Sequence, residues 1–479
     1  MLKSRVFIFV FGPAFIGIKI TFSKIYPKFS LGKYAKNQHK GKFVAFQIGR
    51  VINNQFSTLY ERIEKLCDPR KHREYALAEL VFGGIAMFMF KFGSRNQFDN
   101  YRKEGVFKKN YYRTFKMRLP SSDAIEDLMR LLEPSELEAL KATIIKELIR
   151  HKVFHKFRFV GKKFLIAVDG TGTSTYSSDY CGQCTSKTSK NGNTTYFHYV
   201  LEAKLVTSND MGVSIATEWV ENRADGDYEK QDCEQKAFLR LAVKLKKMFP
   251  RLPLVILADG LYPNQTIFET CRNNGWDFIF TFKDGNLPSI HKEMELLPSS
   301  PGNTKERILA KGGVLKHQVY TWKDNMDYNG TSLSVISCKE TSRRIKKQEG
   351  KPSEPKVFTH ITNIEINPDN CIAISDSGRL RWVIENSFDY LKNHGYNLGH
   401  KFSRVSFSAY KNYYQCMMIA HVINQFVEKS TDFIELKNSA LKQGILFLWQ
   451  RLISFFTDSE IDVLDLDKYV KRRTQIRLA

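Results

Sequence analysis

The chain of 479 residues is 42% hydrophobic and 13% aromatic, which supports substantial cores in a globular protein; on length alone it holds about three domains. Lys and Arg number 74 against 50 Asp and Glu, a formal charge of +24 with a pI near 9.5. Such a field draws polyanions and narrows the partner to nucleic acid or an anionic membrane surface. No apolar run reaches the roughly eighteen residues of a spanning helix, so no membrane-embedded role is expected.

At the start, Lys3 and Arg5 precede an apolar run from Val6 to Ile18 that is broken by Gly12, Pro13 and Gly17. It resembles the charged and apolar parts of a signal peptide but lacks a small-x-small cleavage site. We read residues 1–44 as a nonfunctional extension or an upstream initiation site, with export as the alternative. The eight cysteines are scattered, which suits a reducing compartment and a cytoplasmic, nucleoid-associated protein. Cys181 and Cys184 form one CxxC pair; His198 is a poor substitute for the second pair that zinc usually needs, so no zinc site is expected.

Residues 45–160 read as helical. One apolar helix runs from Tyr75 to Phe90 and another begins near Asp123. After Pro134, Ser135 and Glu138 form a capping box ahead of Leu137, Leu140, Ile144 and Leu148 at helical spacing. Arg70, Lys71, Arg73, Lys91, Arg95, Arg102 and Lys103 surround these helices, which suits a DNA-binding or dimer-forming lobe as well as a plain basic bundle.

At residue 164 the pattern changes. FLIAV is a continuous apolar run of strand length, the mark of a strand buried on both faces. YFHYVLEAKLVT and GVSIATEWVE follow as strands, then an amphipathic helix over about 229–248 that Pro250 stops. LVILA at 254–258 is a second buried strand, followed by a helix over 263–273 and the strand DFIFTF. This β-β-β-α-β-α-β series predicts an α/β fold with a ribonuclease-H-like mixed sheet, its first part spanning 161–283. Residues 284–374 read as a β-rich insertion with an Asn329-Gly330 turn and a basic loop. Residues 375–400 return to the core, and 401–479 form a helical C-terminal region, with helices over about 408–428 and 432–456 and a basic, mobile tail.

Both buried strands end alike, in Asp169-Gly170 and Asp259-Gly260. A carboxylate at the end of an apolar strand pays a desolvation cost unless a positive or hydrogen-bonding group compensates it. The ordinary reading is a helix cap or a turn opener. Pro263 fits the first helical position and would put the cap at Tyr262, while TGTSTY after Asp169 is not helical. Mg²⁺, which takes hard oxygen ligands, is the compensation we expect. A third carboxylate comes from RLRWVIENSFDYLK, residues 379–392. Arg381, Glu385 and Lys392 fall on one helical face, either as an ordinary surface pair and stripe or as a metal ligand between two phosphate-binding cations. Asp389, Asp179, Asp225 and Asp227 are rival carboxylates.

That segment resembles the signature of insertion-sequence DDE transposases of the IS-four family: Tyr, two residues, Arg, three, Glu, six, Lys. Arg381, Glu385 and Lys392 match its longer intervals, and Asp169 in AVDGTG and Asp259 in LADG match its two aspartates. The resemblance covers roughly residues 120–400, with Gly378 at the Tyr position, where no role is carried over; Trp382, Tyr390 or Tyr396 could supply a stacking surface. It implies two-metal phosphoryl transfer, with Asp169 between two Mg²⁺ ions (Mn²⁺ as substitute), Asp259 on one and Glu385 on the other, and Arg381 and Lys392 on DNA phosphates. It further implies cleavage at terminal inverted repeats, joining to target DNA, and a homodimer in a synaptic complex. The alternative is a transposase-derived DNA-binding protein that no longer cuts. No P-loop motif is present, and DGTGTS only faintly matches the phosphate loop of actin-like sugar kinases.

Overall fold

The computed structural model describes residues 37–179, 182–222, 232–296, 301–345, 353–439, 444–472 and 478. Seven helices come first: α1 Asn37–Gln55, α2 Leu59–Glu64, α3 Leu77–Met89, α4 Arg95–Lys103, α5 Gly105–Phe115, α6 Ser122–Leu131 and α7 Pro134–Arg150. The expected helices from Tyr75 and Asp123 are α3 and α6. The expected capping box before α7 does not form. Glu133 is the N-cap and Pro134 takes the first turn, where its missing N–H costs nothing. Glu138 is buried instead and accepts the Thr217 N–H at 2.7 Å.

Strands β1 Phe164–Tyr176, β2 Thr185–Thr188, β3 Thr194–Val206 and β4 Gly212–Val220 precede α8 Glu234–Met248. Then come β5 Leu254–Ala258, α9 Gln265–Asn274, β6 Asp277–Thr281 and α10 Pro288–Leu296. The cap of α9 is Asn264, whose side chain accepts the Ile267 N–H, rather than Tyr262. β3 is antiparallel to both β1 and β4, while β1, β5 and β6 run parallel. The order β4-β3-β1-β5-β6 is that of the predicted ribonuclease-H-like sheet. Burial follows from composition: all five residues of LVILA are covered, as a parallel strand between two layers of helices requires.

The β-rich stretch extends this same sheet. β7 Thr304–Lys311, β8 Val314–Tyr328, β9 Thr331–Arg344 and β10 Lys356–Thr362 add on through β10, which pairs antiparallel with β6. Asn329 and Gly330 both have positive φ, the two-residue hairpin turn expected between β8 and β9.

Two helices, α11 Cys371–Arg379 and α12 Trp382–Asn393, bring the chain back to the core. α13 Phe407–Glu428 is covered along nearly its whole length and packs on α3, α6, α7 and β4, joining the helical lobe to the sheet. The single helix expected over 432–456 is instead two, α14 Thr431–Ser439 and α15 Ile445–Asp458, with extended Gly444 as the cap of the second. The tail expected to be mobile, 467–479, begins within α16 Val463–Val470; 473–477 and 479 lie outside the described residues, and buried Leu478 bridges to Ser430. Its carbonyl takes a hydrogen bond from Lys156. None of the described helices is long and apolar enough to cross a membrane.

A buried ion pair fixes the far side of α12. Lys91 Nζ lies 3.0 Å from Glu428 and 4.8, 5.3 and 4.7 Å from the ring centres of Tyr390, Tyr396 and Trp449. The Tyr390 hydroxyl and the Trp449 indole N–H also donate to Glu428. Removing one member of such a pair strands a buried charge, at a cost of about 3–5 kcal/mol. Lys91→Met should therefore strip hydrogen-exchange protection from α13, and Lys91→Met/Glu428→Gln should restore part of it; unchanged protection in the single variant would refute this.

Candidate active site

Parallel pairing of β1 and β5 sets Ala167 beside Leu257. Two residues further along each chain, on the same face by the strand's two-residue period, stand Asp169 and Asp259. β5 ends where the Asp259 carboxylate turns back to accept the Leu261 N–H at 2.8 Å. The turn-opening role thus accounts for one Asp259 oxygen. Asp169 lies inside β1, which runs on through TGTSTY paired to β3, so DGTGTS forms no phosphate-cradling loop.

Helix α12 packs on β1, β3 and β4. Arg381 precedes it with helical backbone angles, which keeps Arg381, Glu385 and Lys392 on one face. The ordinary i,i+4 pair does form: Arg381 Nη1 lies 2.6 Å from Glu385 Oε1, with Arg381 nearly covered and Glu385 one-third exposed (33%). Lys392 Nζ donates to Thr171 Oγ1 at 2.8 Å, two residues from Asp169. Beneath α12, buried Lys204 donates to Ser387 Oγ at 2.7 Å. Burial pushes that lysine down to about 8.

The Asp169 carboxyl is strongly perturbed. Burial, and then the negative charges of Glu234 and Glu385, push it up to about 7, with Arg381 opposing. Carboxylates at one sheet edge with one nearby guanidinium are the hard oxygen donors that a divalent cation takes, and the repulsion at Asp169 is what such a cation relieves. Among the described residues, no group of three His, Cys, Asp or Glu side chains is closed tightly enough to hold a metal ion. Glu385 is turned onto Arg381 instead.

Sequence reasoning missed Glu234. It opens α8, and its two oxygens accept the hydroxyls of Tyr199 at 3.0 Å and Tyr262 at 2.8 Å. An acidic residue in a first helical turn is commonplace, so no local pattern singles it out. Also unforeseen is His360 of β10, which explains Gly378. A Cβ on Gly378 would stand 2.5 Å from the His360 ring, so the imidazole fills the space that a side chain there would need. Burial, with Arg379 and Arg381 nearby, pushes His360 down to about 4.

Of the rivals, Asp389 and Asp179 are exposed and engaged locally, by Asn393 and by the Gly182 N–H, and Asp225 and Asp227 lie outside the described residues. Of the candidate stacking rings, Tyr396 is buried and Tyr390 is tied to Glu428, whereas Trp382 is 56% exposed beside Arg381. Cys181 also lies outside the described residues. Cys184 Sγ is 4.0 Å from the His198 ring nitrogens, and that ring stacks on Phe407.

With this geometry in place, comparison with known proteins is decisive for the family. Residues 161–423 match the family described as Transposase DDE domain. The chain belongs to that family. Its transposase DDE domain therefore spans the sheet, α11, α12 and most of α13, and domains of this kind generally use divalent metals. Among solved structures, the chain is similar to a piggyBac transposase synaptic complex with hairpin DNA, determined by cryo-electron microscopy. The TM-score is 0.39 at 12% identity, covering 90% of this chain and 82% of that one. No curated protein matches the sequence.

Two outcomes test this transposase site. An Asp169 pKa raised from its ordinary value to about 7 means the metal-free folded state keeps a proton that the unfolded state has lost. Stability should then fall as pH rises from about 4 towards 7. In a chelator, the melting temperature of the wild type should drop more over that range than that of Asp169→Asn; parallel curves would refute the assignment. Gly378→Ala should cost roughly 1–3 kcal/mol by overpacking. Adding His360→Ala should recover part of that loss in denaturant melts, showing the pair to be coupled.

Proposed function

We propose that this transposase-domain protein is a metal-dependent DNA transposase of the IS-four type that cuts an insertion sequence free and joins it to target DNA. The observation that supports the reading is that Asp169 and Asp259 each follow, by two residues, a paired position of adjacent parallel strands, with the Glu385 helix packed on the Asp169 strand. Asp169, Asp259 and Glu385 would hold Mg²⁺, or Mn²⁺ in its place. Bound there, divalent cations supply activation of a water or 3′-hydroxyl and charge relief for the departing oxygen.

The chain's own residues do the remaining work. Asp169 must give up its proton before the centre is fully charged. Arg381 must exchange Glu385 for a phosphate when Glu385 turns to the cation, and its planar fork suits that exchange. Lys392 holds a second phosphate as a point charge beside Thr171. Trp382 offers an exposed ring to an unstacked base. A cleft lined by His400, Lys401 and Arg404, and by Arg95 and Arg130 paired to Glu126, offers the polyanion a track, and Lys401 lies over Tyr176 at the far end of β1. We assign DNA binding or dimerisation to residues 45–160 and a cytoplasmic, nucleoid-associated setting to a homodimer on paired inverted repeats.

Gly378 favours a second reading, a transposase-derived DNA binder that no longer cuts. A plasmid carrying the DNA that flanks the gene separates the two. Mg²⁺-dependent nicking should fall by roughly a thousandfold or more in Asp169→Asn, Asp259→Asn and Glu385→Ala, with DNA binding retained. Binding without any nicking by the wild type would leave the second reading. Affinity for DNA should fall steeply with salt, and Lys392→Ala should lower the salt slope by about one; a flat salt response would remove DNA as the partner.

A further inference from the structure

Three acidic side chains are assigned above, yet the hydrogen bonds around them converge on another. Glu234 is held at both oxygens, Oε1 by the Tyr262 hydroxyl at 2.8 Å and Oε2 by the Tyr199 hydroxyl at 3.0 Å. Each tether starts beside one of the aspartates. Tyr262 belongs to the turn after Asp259, where its backbone N–H reaches the Asp259 carbonyl at 3.3 Å. The Tyr199 ring crosses Gly170, next to Asp169, so closely that a Cβ there would lie 2.3 Å from it. The glycine of AVDG therefore makes room for the tyrosine that holds Glu234.

We propose that Glu234 is a fourth carboxylate of the cation centre, steadied by Tyr199 beside Asp169 and by Tyr262 in the turn after Asp259. The inference rests on the reading of Asp169, Asp259 and Glu385 as that centre. A glutamate that merely complemented the dipole of α8 would need no buried partner, whereas Tyr262 is fully buried. A carboxylate has about four lone-pair sites, so two tyrosine donors leave Glu234 able to accept a cation. Four carboxylates balance two divalent cations and release Arg381 from its partner for a phosphate.

The test is Mn²⁺ binding by the full chain without DNA, followed by electron paramagnetic resonance of the free ion. Glu234→Gln keeps the shape and an acceptor for the tyrosines but removes the charge. It should melt normally and bind Mn²⁺ about tenfold more weakly or worse; Tyr199→Phe and Tyr262→Phe should each weaken binding, as loss of a supporting hydrogen bond does. A folded Glu234→Gln protein with wild-type Mn²⁺ affinity, alongside an Asp169→Asn protein that has lost it, would overturn the inference and leave the functional reading standing. Should Glu234→Gln fail to fold, unchanged Mn²⁺ affinity in both tyrosine variants would overturn it equally. A wild type that neither binds Mn²⁺ nor nicks DNA would bring down the functional reading and this inference together.

Discussion

Like charges brought together where water is scarce are the constraint around which this protein is organised. Two apolar strands drive their aspartates to one sheet edge, and Glu385 and Glu234 approach from helices. Arg381 is the nearby cation, and it is already engaged by Glu385. The outcome is a centre short of positive charge, in which Asp169 holds its proton to about neutral pH. Packing alone does not need such an arrangement, because an apolar or neutral residue at Asp169 would pack at lower cost.

The scaffold meets this repulsion by rigidity on several sides. Lys204 and Lys141 are buried beneath α12 and β4 and are satisfied by Ser387, Ser214 and Thr217. On the other flank of α12, Tyr390 ties the helix to Glu428, Lys91 and Trp449. Glu385 is thus carried by a helix anchored both to the sheet and to the helical lobe, which limits how far it can move. Preorganisation of this kind is what phosphoryl transfer asks of a protein, since the reaction needs positioning and charge stabilisation more than covalent chemistry.

Gly378 and His360 form one close contact between distant parts of the chain. The ring of His360 closes against the bare Cα of Gly378, so the two positions behave as a unit spanning β10 and α11. A residue read in isolation as a missing tyrosine is, in the fold, one half of a contact.

Much of this was legible in the chain itself. Continuous apolar runs at FLIAV and LVILA, with helices between later strands, determine a buried parallel core and the aspartates that follow each run, although β1 continues past Asp169. The Arg-Glu-Lys intervals determine a single helical face. Other features depended on residues distant in sequence. The β-rich insertion joins the main sheet because β6 leaves an edge that β10 pairs with, and an unpaired edge carries no mark of its eventual partner. Glu234, an ordinary first-turn acid by sequence, becomes part of the site only because Tyr199 and Tyr262 converge on it. His360 is likewise a strand residue until α11 packs over it. Periodicity and local propensity act over a few residues and so can be read directly; convergence of charges and rings comes from packing, and only the folded chain decides it.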